Sequence, residues 1–180
     1  MNKGKLYPSE SRTFVDEKTG TTIRQVTSAE AIHHHPFFMI PAYDDAMQWL
    51  IFASSRTGKP QLFAEVRATG QLLQLTDRDD LSDWSIHPSH DGRYVYFTAG
   101  TGGWRVNLQT LAEEKLIDFG DVAMREQGMV AAAMGTTALS VDDRWWLGLK
   151  IDHRQLVVGN GLFRIGGIYL EGSGHQREAF

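Results

Sequence analysis

Between Trp84 and Phe119 the chain carries four short apolar runs, Trp84–His87, Tyr94–Thr98, Trp104–Leu108 and Glu114–Phe119. Turn-forming segments cut them apart: Pro88–Gly92, Gly100–Gly103 and Gln109–Ala112. Runs this short, bounded this closely by glycine, proline and asparagine-like signals, exclude long helices. Asp91-Gly92 between two such runs is a hairpin signal, because glycine accepts the positive φ of a tight turn. Tyr94-Val95-Tyr96-Phe97 is β-branched and aromatic, which suits a packed, pleated surface. Four antiparallel strands within about 35–40 residues is the size of one β-propeller blade.

The same scheme recurs on both sides. Upstream, Phe37–Ile40, Trp49–Ala53, Gln61–Val66 and Gln71–Leu75 read as four strands of a blade spanning 28–76. Phe52 and Phe97 take corresponding places about 45 residues apart, within the repeat range of propellers. Asp77–Asp80 leads into the second blade, 77–119. Before them, Arg12–Val15 and Thr22–Val26 form a hairpin within 1–27, with Gly20 in its turn. After a long connection, Gly120–Gly135, an incomplete blade occupies 120–180. Its strands are Thr136–Val141 and Trp145–Ile151, then weaker runs at Leu162–Ile165 and Ile168–Leu170, with no closing strand before Phe180. Leu149 is expected to match Phe52 and Phe97 in an inward position. The expected fold is all-β: one partial β-propeller domain of about three four-stranded antiparallel blades. Propellers close with about four to eight blades, so open strand edges and apolar blade faces predict self-association.

Composition sets limits on function. The net charge of −4 and the lack of a basic stripe exclude a general nucleic-acid binder. No cysteine is present, so disulfides and thiolate metal sites are excluded. The N-terminus lacks the apolar run of a signal peptide and no segment is apolar enough to span a bilayer, which points to a cytoplasmic protein without a membrane partner.

His33-His34-His35 is the densest group of potential ligands. On a strand His33 and His35 share a face and His34 points away. Such an i, i+2 pair can bind zinc or manganese, but two ligands are too few alone, so the cluster reads as a solvated loop before Pro36, as a contact for a sugar carboxylate, or as part of a metal site. Arg56 and Lys59, in the loop between two strands, can pair with an anionic ligand or serve solubility. Arg125 lies in the long connection, where functional loops are common. Asp77–Asp80 with Asp83 lacks the glycine and distal glutamate of a calcium loop and reads as a solvated turn. Trp49, Trp84, Trp104, Trp145 and Trp146 lie beside or inside strands and are expected to pack in the core, with stacking on a sugar ring as the other use of such side chains. No nucleophile elbow and no phosphate-binding glycine loop occur.

From about Lys3 to Ile151 the chain resembles the N-terminal half of bacterial oligogalacturonate lyases, the pectate-lyase-22 type with TolB-like repeats. The residues that carry this are Ile23-Arg24-Gln25-Val26-Thr27 closing the hairpin, then Thr27, His34 and Phe38 in their spacing. Gln74-Leu75-Thr76 and the run Val106-Asn107-Leu108-Gln109-Thr110-Leu111 before two glutamates complete the series. The resemblance implies a seven-bladed propeller that cleaves galacturonate oligomers by β-elimination in the cytoplasm. It also implies a base for the proton α to the carboxylate, and an arginine and manganese to stabilise the charge that develops. His34 matches a family histidine. The family's catalytic residues and metal ligands lie in later blades, so no catalytic residue and no metal ligand is expected in this chain, and Arg154, Arg164 and His175 inherit no role. The expectation is a truncated lyase-like protein without the catalytic half, with His34, Arg56, Lys59 and Arg125 as candidate substrate contacts. The alternatives are a non-catalytic propeller module for binding, or the product of a broken reading frame, since the repeat is lost after Asp152.

Overall fold

Three turns of one design organise the chain. In the computed structural model Ser89 Oγ accepts hydrogen bonds from the N–H groups of Arg93 (3.1 Å) and Tyr94 (2.9 Å) and donates to Asp91 (2.8 Å). Ser140 does the same with Arg144 (3.2 Å), Trp145 (2.9 Å) and Asp142 (2.6 Å). Asp44 replaces the serine in the first copy, taking the N–H of Trp49 at 2.7 Å. Each turn places a residue in the left-handed region at the same point: Met47 at φ 52°, Gly92 at 69° and Asp143 at 56°. Only the second copy uses glycine there, so the other two accept a steric cost that L-residues normally avoid.

The structure describes residues 2–100, 102–118, 137–151, 163–169 and 176–179. Their strands, in chain order, are β1 (Leu6–Tyr7), β2 (Arg12–Val15), β3 (Thr22–Gln25), β4 (His33–His34), β5 (Trp49–Ser54), β6 (Gln61–Val66) and β7 (Gln71–Gln74). Then follow β8 (Leu81–Pro88), β9 (Tyr94–Ala99), β10 (Gly102–Asn107), β11 (Glu113–Asp118), β12 (Thr137–Leu139), β13 (Trp145–Ile151), β14 (Phe163–Tyr169) and β15 (Gln176–Ala179). A first sheet has the order β1-β7-β6-β5-β4, a second β11-β10-β9-β8, a third β12-β13-β14-β15, and β2-β3 stand as a separate hairpin. Every pairing is antiparallel. No helix among the described residues is long and apolar enough to cross a membrane.

The sheets pack face to face. Ile51, Ala53, Leu62 and Ala64 of the first meet Ile86, Val95, Phe97, Ala99 and Val106 of the second in one buried cluster. Tyr96, on the opposite face of β9, packs with Leu116, Leu139 and Trp146 towards the third sheet. The far flank of the first sheet, Phe52, Phe63 and Leu72, is covered by Tyr7 and Val26 from the N-terminal segment. The turns also fasten neighbouring sheets. Asp45 donates its N–H to His90 O at 3.0 Å, and the Asp143 carboxylate takes the N–H groups of His90 (3.0 Å) and Asp91 (2.9 Å).

Several expectations need correction. Phe37–Ile40 is not a strand: Pro36 offers no N–H, and the Ile40 N–H closes a turn on Phe37 O at 2.7 Å. The edge strand beside β5 is instead His33–His34, opposite Ser54 and Ala53. The two weak runs at Leu162–Ile165 and Ile168–Leu170 are one strand, β14, because Gly166 and Gly167 stay in the ladder; β15 then closes the third sheet. Phe52 and Phe97 do occupy matching places, but the spacing from Ser89 to Phe97, counted from Ser140, lands on Gly148 rather than Leu149. The long connection between β11 and β12 lies outside the described residues.

Candidate functional site

The strand pairing sets which loops share an end of the sheets. His33 and His34 sit beside the C-terminal end of β5, so they lie with the Ser54–Pro60 loop, the Asp77–Asp80 connection and the start of β8. The three serine-type turns lie at the other end. At the first end, β8 departs from regular pairing: Leu81 and Ser82 oppose Ala99 and Thr98, and His87 and Pro88 then oppose Tyr96 and Val95. The residues between Ser82 and His87 therefore face Phe97 alone, an extended bulge that re-aims side chains. Asp83 and Trp84 are turned out of the ladder towards the first sheet. Asp83 Oδ2 lies 2.9 Å from His34 Nε2, and the Trp84 indole lies along the His34 ring with 5.0 Å between centroids and 21° between planes.

His34, Asp83 and Trp84 form a mouth between the first two sheets. The His34 and Asp83 side chains retain 20% and 27% of their exposure, and Trp84 retains 47%. A carboxylate on one ring nitrogen fixes the imidazole plane. The ring edge offers a polar contact at the mouth, while Trp84 adds an apolar wall. The core role expected for the tryptophans holds for Trp146, which is fully buried, but not for Trp84.

The other candidates differ in their surroundings. The Arg56 side chain is 5% exposed. Its guanidinium grips both oxygens of Glu10 at 2.8 and 3.2 Å, reaches Thr27 Oγ1 at 2.5 Å, and lies over the rings of Tyr7 and Phe63 at 5.4 and 5.1 Å. Burial pushes the Glu10 carboxyl up. The Ser28 N–H, the Thr27 hydroxyl and the Arg56 guanidinium outweigh that and hold it down at about 2. Arg24 pairs in the same region with the buried Glu65. Lys59 is at the solvent edge, 2.5 Å from Asp79 and 3.8 Å from Asp77, and its hydrogen bond to Asp79 raises its pKa. Arg125 lies outside the described residues.

In sequence, Asp83 reads as part of a solvated turn and Trp84 as core. One signal pointed elsewhere: Leu81 and Ile86 pack against the same core cluster although their odd separation puts them on opposite faces of a regular strand. That conflict of phase is the mark of a bulge.

Manganese does not fit the described residues. No group of three or more histidines and carboxylates is close enough to hold a metal among them. His34 and Asp83 are engaged with each other, and His33 turns to the opposite side, against Phe52, with Nε2 on Ala29 O at 3.1 Å. At the turn end, a cleft of about 540 Å³ is lined by His90, Arg93, Tyr94, Tyr96, Arg105 and Asp143 among others. Its cations are paired: Arg93 with Asp91, Arg105 with Glu114, and His90 with Asp143.

No protein-family model matches the chain, and no curated protein matches it. Solved structures do. An oligogalacturonate lyase from Vibrio parahaemolyticus superposes with a TM-score of 0.80 over 97% of this chain and 48% of its own, at 19% identity. An oligogalacturonate lyase in complex with manganese gives 0.81 over 98% and 48%, also at 19% identity. A TolB-type protein from Agrobacterium tumefaciens gives 0.56 over 96% and 60%, at 14% identity. At these identities the likeness is one of fold. The chain has the fold of about half of a propeller-type lyase and spans about half the length of the solved lyases it matches.

Proposed function

We propose that the chain is the N-terminal part of an oligogalacturonate-lyase-type propeller, built of three blades and an N-terminal hairpin. In this reading it acts in the cytoplasm on galacturonate oligomers, offering them a contact but not the eliminating centre. The observation that supports it most is the superposition on two such lyases over 97% and 98% of this chain. The described residues fit a contact role. His34, held by Asp83, faces a mouth open to solvent, and Lys59 stands at the same end on a flexible side chain. Arg56 is spent on Glu10 and Thr27 and acts as a structural pin.

Elimination next to a carboxylate needs a base at the α-proton and cationic groups on the oxygens that gain charge. Losing one such partner typically costs about 10²–10³ in rate. Among the described residues His34 is the sole ionisable ring at the mouth, and no arginine stands with it. In this reading the chain by itself binds without turnover. Its open edges also favour pairing with further copies.

The test is the ultraviolet absorbance of the unsaturated product when the isolated 180-residue chain is mixed with digalacturonate and manganese. No rise is expected, while calorimetry detects weak binding. Metal-dependent turnover that His34→Ala abolishes would overturn the assignment of roles. Light scattering checks the self-association; a compact monomer at high concentration counts against it.

A further inference from the structure

Neither the packing of the sheets nor the pairing of His34 accounts for where Trp84 is held. Its neighbour Ile86 is fully buried, yet Trp84 stands in the same strand with 47% of its surface in water. Leaving an indole exposed forgoes hydrophobic free energy that burial would supply. The placement is built rather than loose. Ser85, fully buried, donates to Ser82 O at 2.7 Å and accepts the Thr98 N–H at 2.8 Å, which closes the ladder beneath the bulge. One face of the indole is backed by His34, whose own orientation is fixed by Asp83.

We propose that the solvent-exposed indole of Trp84 is a stacking platform for a galacto-configured pyranose ring. The π-face of an indole carries negative charge and attracts weakly positive C–H groups. In a galacto-configured ring the C3, C4 and C5 hydrogens lie on one face, because the 4-hydroxyl is axial on the other; a gluco-configured ring divides them between faces. Stacking of this kind recognises ring configuration and leaves the carboxylate to cationic groups nearby. The identity of the sugar, its galacto configuration and its carboxylate alike, rests on the proposed function; the platform itself rests on the bulge, the stack and the exposure of the indole.

The experiment labels the tryptophan indole nitrogens of the 180-residue chain and follows Trp84 and Trp146 by NMR. The probes are digalacturonate, neutral galactobiose, and citrate as a carboxylate without a ring. Both sugars are expected to shift the Trp84 signal, citrate is not, and Trp146 stays still. Trp84→Ala is expected to weaken digalacturonate binding about tenfold, and Trp84→Phe to retain most of it; an unchanged Trp146 signal shows that each variant is folded. A Trp84 signal unmoved by either sugar, or moved by citrate, overturns the platform. Digalacturonate binding at full strength in Trp84→Ala overturns the platform and spares the proposed function. A response to galactobiose but not to digalacturonate keeps the platform and removes the acidic-sugar reading.

Discussion

Arg56 and His34 lie at the same end of the first sheet, and each has a carboxylate partner, yet they do different work. Arg56 is enclosed: Glu10, Thr27, Tyr7 and Phe63 surround a side chain that is 5% exposed. It fastens the N-terminal segment to the flank of the sheet. His34 has Asp83 on one ring nitrogen at 2.9 Å, the His35 carbonyl at 3.4 Å from the other, and a half-exposed tryptophan on its ring. The contrast teaches that a cation near a loop declares its role through how fully its donors are used. A guanidinium enclosed by its carboxylate, a hydroxyl and two rings is structural; an imidazole at a mouth open to solvent is available.

The largest effect expected from breaking this contrast is on stability. Arg56→Met should cost about 3 kcal/mol, because it strands the Glu10 carboxylate in a site built for a pair. Urea unfolding measures it, and a loss within experimental error would mean that Arg56 is not a pin.

Acid should act on the same flank. The folded Glu10 carboxyl is held at about 2 against an ordinary value of 4.5. A depressed carboxylate contributes stability that is fully present above 4.5 and is lost as pH falls through the folded value. The denaturation midpoint of the wild type should therefore drop between about pH 4.5 and 2 more steeply than that of Glu10→Gln. Equal slopes for the two proteins would contradict the role given to Glu10.

The mouth should respond in the opposite sense. His34→Ala removes a partly exposed pair, worth about 0–1 kcal/mol of stability, but should lower digalacturonate affinity several-fold in calorimetry. A large loss of stability with binding intact would exchange the roles of the two regions. The smallest effect lies at the far end. Met47, 54% exposed and left-handed, should gain about 0.5–1 kcal/mol on Met47→Gly, with no change in binding, by thermal unfolding and calorimetry.

Much of the fold was legible because strand period and turn chemistry are local. Ser89-His90-Asp91-Gly92 and Ser140-Val141-Asp142-Asp143 announce the same turn, and the strands beside them follow. What escaped depended on partners distant in the chain. Nothing near Arg56 in sequence says that Glu10 will come to it, and nothing near His34 names Asp83. Phe37–Ile40 has strand composition, but a proline and a local turn take its donors. Trp84 looked like core because composition does not show a bulge; the phase conflict between Leu81 and Ile86 did.

The most direct test of the distinction between mouth and flank is a backbone amide map of the 180-residue chain under titration with digalacturonate. Shifts are expected at His34, Asp83 and Trp84, with Glu10, Thr27 and Arg56 unmoved. Shifts centred on Glu10, Thr27 and Arg56, with the mouth silent, would contradict it.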